Sequence, residues 1–182
     1  FEGTAFGASG TTTGEICFNT SMTGYQEVIT DPSYRGQIVA MTYPQIGNYG
    51  VNPLDGESAG PHIRAFVIGE LCDVPSNWRS TQSLSDYLSG HGILGIEGID
   101  ARALPKPLRS LGAMRACVST ELTAEEAIAA AKASPSMEGM DYVKEVSTNA
   151  AYKWEDESRQ WVLPNTSTGH AGPYEDLPPV RH

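Results

Sequence analysis

The sequence predicts an α/β domain followed by a polar linker, and three observations lead to that prediction. From Ile63 onward, short apolar stretches typical of buried strands alternate with helical patterns. Apolar residues make up 40% and charged residues 19% of the 182 residues, which is typical of a folded globular chain. Beyond Trp154 the chain is polar and contains four prolines in a weakly patterned stretch. We therefore expect a single domain over residues 1–153 and a linker over residues 154–182.

In the first sixty residues, short apolar stretches lie between turns rich in Gly, Thr and Ser. A helix is predicted where Tyr25, Val28 and Ile29 recur at the i, i+3, i+4 spacing of one helical face. Asp31 and Pro32 then occupy the first two positions of a type I turn, which both residue types favour there. The predicted elements are, in order, strand Glu15–Asn19, helix Gly24–Thr30, turn Asp31–Tyr34, strand Gln37–Tyr43 and the tight loop Gly47–Gly50.

The strongest local signal in the second half is a helix that begins after Thr123. Thr123 and Glu126 have the spacing of a capping box, an Ala-rich stretch follows, and Pro135 prevents continuation. The elements predicted here are strand Ala65–Leu71, helix Ser83–Ser89, strand Ile93–Ile96, a helix from Asp100 to Gly112, strand Met114–Ser119 and helix Thr123–Ser134.

The charge distribution argues against nucleic-acid binding. The formal net charge is −10, with 11 acidic and 7 basic residues in 1–119 and 11 and 5 in 120–182, so neither part holds a basic stripe. No apolar stretch approaches the roughly 20 residues that cross a bilayer, and Phe1–Gly10 lacks the features of a signal peptide. We therefore expect a cytoplasmic protein that binds neither nucleic acid nor membrane.

Residue types that commonly carry catalysis lack the surroundings that catalysis needs. Cys17, Cys72 and Cys117 are odd in number, widely spaced and flanked by apolar residues, which indicates reduced, buried thiols rather than disulfides or nucleophiles. Asp55 and Glu57 lie in a Gly- and Pro-rich loop without an organised partner. No phosphate-binding glycine motif is present. None of the four histidines has a second ligand at metal spacing: His62, His91, His170 and His182. We expect no catalytic residue, metal or cofactor site in this chain.

Two loops combine Gly, Tyr and small polar residues in a way that suits an interface. Tyr contributes rigid contact area, and Gly lets another backbone approach closely. The candidates for interface residues are Thr23, Tyr25, Asn48 and Tyr49. Taken alone, the same residues are also compatible with ordinary tight turns.

A series of uncommon strings, from about Phe1 to Trp154, resembles the small subunit of glutamine-hydrolysing carbamoyl-phosphate synthase. The strings occur in the order of that family: Phe18–Glu27, Thr30–Tyr34, Gln37–Val39, Thr42–Gly50, Glu57-Ser58, Ser76–Arg79, Leu84–Leu88, Gly98–Leu104 and Gly139–Asp141. One departure is Leu104-Pro105-Lys106-Pro107-Leu108, where the family reads Leu-Thr-Arg. Because proline lacks an N–H donor, the helix after Asp100 is expected to begin later or to kink.

The resemblance implies a β/β/α domain of the swivelling type that docks against the large subunit and packs on a glutamine amidotransferase domain. In the family, that second domain releases ammonia from glutamine. The large subunit, which holds ATP and magnesium, then makes carbamoyl phosphate for arginine and pyrimidine synthesis. The family's first strand and the whole amidotransferase domain are expected to lie outside these 182 residues. The resemblance also implies that Ser33 contacts the bound glutamine.

Other functions remain open from the residues alone. The chain could be a free-standing adaptor derived from the same domain, or a hydrolase that uses Asp31 or Glu57. The coding sequence after His182 separates the first alternative from the synthase, since a Gly-x-Cys-x-Gly elbow followed by His-x-Glu would encode the amidotransferase domain. The hydrolase is disfavoured because neither a base nor an oxyanion site accompanies these carboxylates. Ser33, without the resemblance, would simply complete its turn.

Overall fold

The computed structural model describes residues 1–153, 163–164 and 171–172. The chain forms two compact units, Phe1–Ser147 and Thr148–His182. The predicted linker over residues 154–182 lies outside the described residues, apart from strands Leu163–Pro164 and Ala171–Gly172, which pair antiparallel. All that follows concerns the first unit, whose α/β class confirms the fold class that the sequence predicts.

The first unit contains eight strands, five α-helices and one 3₁₀ helix. The strands are β1 (Thr4–Gly7), β2 (Thr11–Asn19), β3 (Gln37–Met41), β4 (Gln45–Ile46), β5 (Ala65–Val67), β6 (Glu70–Leu71), β7 (Leu94–Glu97) and β8 (Met114–Ser119). The helices are α1 (Tyr25–Thr30), the 3₁₀ helix Pro32–Tyr34, α2 (Leu84–Gly90), α3 (Pro105–Leu111), α4 (Ala124–Ala133) and α5 (Val143–Val146).

Six of these strands form one mixed sheet in the order β1-β7-β5-β3-β2-β8. The four central strands are parallel, whereas β1 and β8 pair antiparallel at the two edges. Strands β4 and β6 form a separate parallel pair. Parallel neighbours need a connection that returns along the sheet, and α1 is that connection between β2 and β3. This crossover positions both candidate sites.

Each face of the sheet buries its own apolar cluster, because successive strand residues point to opposite faces. Val39 and Phe66 face α1 and α2, where they pack with Ile29 and with Leu84 and Leu88 of α2. The other face buries a cluster around α3 that consists of Ile16, Ile38, Ala40, Ala65, Val67, Leu94, Ile99 and Leu108. Burial on both faces explains the nearly continuous apolar character of the central strands.

Local sequence signals correctly predicted several elements. The helix α1 and strand β8 lie where they were expected, and α2 begins after Ser83, whose side chain accepts a hydrogen bond from the amide of Asp86. The α4 helix has the predicted capping box between Thr123 and Glu126. In each case the determining interaction lies within a few residues along the chain.

Other predicted boundaries of strands and helices were wrong. Residues 65–71 form two strands in different sheets, because the chain turns at Gly69, whose carbonyl accepts from the amide of Gly98. The predicted strand from Gln37 ends two residues early, at Met41. The carboxylate of Asp100 accepts from the amides of Arg102 and Ala103, and α3 itself begins at Pro105. That later start agrees with the expected effect of the prolines, which at the first turn of a helix lose no intrahelical bond.

All three cysteines are free, as expected, but only partly buried: Cys17, Cys72 and Cys117.

We predict that Gly14→Ala destabilises the domain by about 1–3 kcal/mol, because overpacking forces neighbouring atoms to move. A Cβ on Gly14, in β2, would lie 2.6 Å from the carbonyl oxygen of Gly36, which is backbone and has little room to shift. Urea unfolding measures the free-energy change. The matched control is Gly90→Ala at the end of α2, where a Cβ meets nothing within 4 Å and alanine gains helix propensity. Equal effects of the two substitutions would contradict the packing described here.

Candidate functional site

Between β2 and β3 the chain crosses from one end of these parallel strands to the other. The residues after β2 and the residues before β3 therefore lie at opposite strand ends. The loop after β2 lies at one end of the sheet, where the loop after β4 bonds to it and the loop after β6 bonds to the loop after β4. We call this the loop end: 20–24, 47–55 and 72–80. The 3₁₀ turn precedes β3 and lies at the opposite end, which we call the turn end: 31–36. The two ends of a five-residue strand lie roughly 16 Å apart. The side-chain amide of Asn19, at the end of β2, still donates to the hydroxyl of Tyr34 in the turn at 3.0 Å, and residues 57 and 58 bond to Thr30 just before the turn.

Two tyrosines hold the loop end together. The rings of Tyr25 and Tyr49 stack with centroids 4.2 Å apart and an interplanar angle of 19°. The hydroxyl oxygen of Tyr49 accepts from the amides of Gly24, at 2.6 Å, and Tyr25, at 3.1 Å. The hydroxyl of Tyr25 donates to the carbonyl oxygen of Gly50 at 2.7 Å. These contacts satisfy the first amides of α1 and join the loop after β2 to the loop after β4.

Packing and hydrogen bonds within the domain therefore account for the positions of both tyrosines. Tyr25 is only 1% exposed, and Tyr49 is half-buried. Burial raises the pKa of both hydroxyls, so each remains a neutral donor and acceptor at physiological pH. Of the four interface candidates, only Thr23 and Asn48 are exposed. A role of any of the four in binding a partner stays a prediction.

A third loop joins this frame and presents apolar side chains to solvent. The amide of Ser76 donates to the carbonyl of Asn48 at 2.9 Å, and Arg79 forms an ion pair with Asp55. The side chain of Gln26 also holds the backbone of Asn52 through two hydrogen bonds. Four large apolar side chains on these loops are between 48% and 80% exposed: Met22, Leu54, Val74 and Trp78. In the sequence, Trp78 belongs to the Ser76–Arg79 string, and its position in a polar loop is the signal that could have indicated an exposed aromatic side chain.

Of the carboxylates in and beside the loop end, Asp55 has a clear structural role. Asp55 accepts from Arg79 and from the side-chain amide of Asn52, and Glu57 is exposed. Within the part of the chain that the structure describes, the buried Oε2 of Glu27 has no hydrogen-bond partner. Desolvation raises the pKa of Glu27, and the nearby charges of Asp55 and Glu57 add to that shift. The hydroxyl of Ser58, next to Glu57, lies 3.0 Å from a ring nitrogen of His62 but also bonds to the carbonyl of Thr30 at 2.6 Å. Because Nδ1 of His62 has no partner among the described residues, no third group orients the imidazole as a base.

At the turn end, Ser33 is exposed on a turn that local hydrogen bonds hold. The amide of Ser33 donates to Oδ1 of Asp31 at 2.8 Å, and the amide of Tyr34 donates to the carbonyl of Asp31 at 3.1 Å. The Ser33 hydroxyl bonds to no group within residues 1–153. The predicted turn is confirmed, whereas the contact of Ser33 with glutamine stays a prediction.

His62 borders this turn without forming a catalytic pair. One of its ring nitrogens lies 3.0 Å from the hydroxyl of Ser58, and its buried Nδ1 has no partner among the described residues. Burial, followed by the charge of Arg35, lowers the pKa of His62, while Asp31 opposes the shift. The imidazole is therefore neutral at physiological pH.

The described residues contain neither a cluster of metal ligands nor a helix that could span a membrane. No group of three or more His, Cys, Asp or Glu side chains there is arranged to hold a metal ion. None of the helices in the same residues combines the length and apolar character needed to cross a bilayer.

Comparison with known proteins gives consistent matches. Residues 1–118 match the family model described as carbamoyl-phosphate synthase small chain, CPSase domain. A carbamoyl phosphate synthase small chain from Akkermansia muciniphila is 61% identical over 149 residues, which cover 82% of this chain and 40% of the relative. Small chains from Nostoc sp. and Synechocystis sp. are 56% and 57% identical over 157 residues, which cover 86% of this chain. This chain spans about two fifths of the length of these relatives.

We predict that Tyr49→Phe lowers the free energy of unfolding by about 1–3 kcal/mol, because it leaves two partly buried amides without an acceptor while keeping the ring stack. The matched control is Tyr87→Phe. The hydroxyl of Tyr87 is also partly desolvated but bonds to nothing among the described residues, so its removal should change stability by less than about 0.5 kcal/mol. Urea unfolding compares the two variants. Equal stability of Tyr49→Phe and the parent would show that the hydroxyl does not hold the loops together.

Proposed function

The chain belongs to the carbamoyl-phosphate synthase small-chain family, and on that premise we propose that it is the N-terminal, non-catalytic domain of a glutaminase subunit. Among the described residues, the contact between Ser58 and His62 lacks a third group that would orient the imidazole, which supports this assignment. In the proposed enzyme, a following amidotransferase domain releases ammonia from glutamine. The large subunit, which binds ATP and magnesium, uses that ammonia to make carbamoyl phosphate for arginine and pyrimidine synthesis in the cytoplasm.

The loop end is the proposed docking surface for the large subunit. Its exposed apolar side chains lie on loops that the tyrosine pair and the Gln26–Asn52 bonds hold in place. A surface that is already ordered loses less conformational entropy on binding than a mobile one. Trp is also the residue type most enriched among side chains that dominate binding energy. Trp78 is therefore the proposed anchor, with Thr23 and Asn48 as polar neighbours and Tyr25 and Tyr49 as the support beneath them.

The turn end is the proposed contact with the neighbouring amidotransferase domain and its glutamine. The observation that carries this assignment is the exposed hydroxyl of Ser33 on a turn held by Asp31. A hydroxyl can donate to a carboxylate or carbonyl of glutamine and accept from its amino or amide group. Because the Asp31 side chain fixes the Ser33 amide, the hydroxyl is directed by a short, ordered segment. The two ends thus serve two different partners.

We predict that Ser33→Ala in the complete enzyme raises the glutamine KM about threefold to tenfold, as expected for the loss of one neutral hydrogen bond. Synthesis driven by added ammonia should be nearly unchanged, because it bypasses the glutamine site. Steady-state kinetics with each nitrogen source measures both values. An unchanged glutamine KM would show that Ser33 only completes its turn. An equal loss with ammonia would place its role in folding or docking.

We predict that Trp78→Ala weakens binding of the large subunit by about 2 kcal/mol or more, which is roughly a thirtyfold rise in Kd. The matched control is Leu111→Ala on α3, which removes an even more exposed apolar side chain away from the loop end. Its Kd should stay within about twofold of the parent value. Binding is measured by calorimetry or by sedimentation of the two subunits. Equal effects of the two substitutions, or none from Trp78→Ala, would exclude the loop end as the principal docking surface.

A further inference from the structure

The last segment of the first unit, residues 134–147, lies against the turn that presents Ser33. Arg35 lies two residues after Ser33, and its Nε donates to Oε2 of Glu145 at 2.9 Å. A second guanidinium nitrogen lies 2.8 Å from the same oxygen. Glu145 is in α5, close to Ser147, where the first unit ends. One ion pair therefore joins the Ser33 turn to the residues through which the chain leaves this unit.

A close backbone contact lies beside that ion pair. Gly36 is buried and has a φ of 84°, a conformation that favours glycine. A Cβ on Gly36 would lie 2.7 Å from the Cζ and the hydroxyl oxygen of Tyr142, and the carbonyl of Gly36 faces Gly14 on the other side. The backbone of Gly36 is thus enclosed between β2 and the ring of Tyr142. Any side chain at position 36 would push Tyr142 away from the turn.

The beginning of the same segment is anchored to the edge of the sheet. The amide of Met137 donates to Oε1 of Glu15 in β2 at 3.0 Å. The guanidinium of Arg115 in β8 donates to the carbonyl of Ser134 at 2.9 Å. Because both ends of the segment are attached, the Arg35–Glu145 pair joins two structured elements, so forming it orders less chain than a contact with a mobile terminus would.

We propose that residues 134–147 act as a clamp that holds the Ser33 turn beside the exit of the chain, and that Arg35, Tyr142 and Glu145 are positioning residues for the Ser33 hydroxyl. This inference rests on the proposed contact between Ser33 and glutamine. Only Tyr34 separates Arg35 from Ser33 along the chain, so the ion pair restrains the same turn whose backbone Asp31 holds. A hydroxyl on a restrained turn loses less conformational entropy when it binds a ligand.

The test compares the loss of this ion pair with the loss of a neighbouring one. Arg35→Gln and Glu145→Gln each remove the pair from the complete small chain assembled with its large chain. The Arg35→Glu/Glu145→Arg double variant restores it with the charges exchanged. Lys144→Gln is the control, because it removes the exposed Lys144–Asp141 pair in the same segment without touching the turn. The readouts are the glutamine KM, the rate with ammonia and the hydrogen exchange of the Ser33 amide.

Each single variant should raise the glutamine KM about two- to fivefold, as expected for a partly exposed ion pair. The rate with ammonia should not change, exchange of the Ser33 amide should quicken, and the double variant should recover most of both losses. The control should match the parent enzyme in every readout. Unchanged exchange and KM in Arg35→Gln, while Ser33→Ala raises the KM, would overturn the clamp alone. Faster exchange with an unchanged KM in both Arg35→Gln and Ser33→Ala would overturn the glutamine contact, and with it the positioning role.

Discussion

The parallel pairing of β2 with β3 is the constraint on which the remaining arrangement depends. Two parallel neighbours require the chain to return along the sheet, and α1 makes that return on one face. The residues that leave β2 and those that enter β3 must therefore lie at opposite ends. A segment of about thirty residues that forms one continuous motif in the sequence therefore contributes residues to both ends. The separation of the proposed docking surface from Ser33 follows directly from this topology.

The tyrosine pair shows how packing and recognition are divided within one loop cluster. Tyr25 and Tyr49 have the composition of interface residues, yet their rings stack and their hydroxyls satisfy backbone groups of α1 and Gly50. A buried polar group without a partner lowers the free energy of unfolding, so each hydroxyl stabilises the loops by pairing with their backbone groups. Recognition is left to the exposed side chains that these loops carry. The same division holds at the turn end, where Asp31 holds the backbone and Ser33 remains free to bind.

Sequence reasoning succeeded where the deciding interaction is local. The helix α1 follows from apolar spacing, α4 from the Thr123 capping box, and the Ser33 turn from Asp31 and Pro32. It failed where the partner is distant in the chain. The hydroxyl of Tyr49 bonds to residues 24 and 25 positions away, and Arg35 pairs with a residue 110 positions later. Spacing within a window cannot indicate such contacts, and neither the tyrosine pair nor the clamp was predictable from one sequence.

The central claim is that the two ends of this domain meet different partners. Amide hydrogen exchange of the full-length small chain, measured free and with its large chain bound, tests that claim directly because it reports on every loop at once. We expect the large chain to slow exchange in residues 20–24, 47–55 and 72–80 and to leave residues 31–36 unchanged. Protection of residues 31–36 by the large chain, or unchanged exchange throughout the loop end, would contradict it.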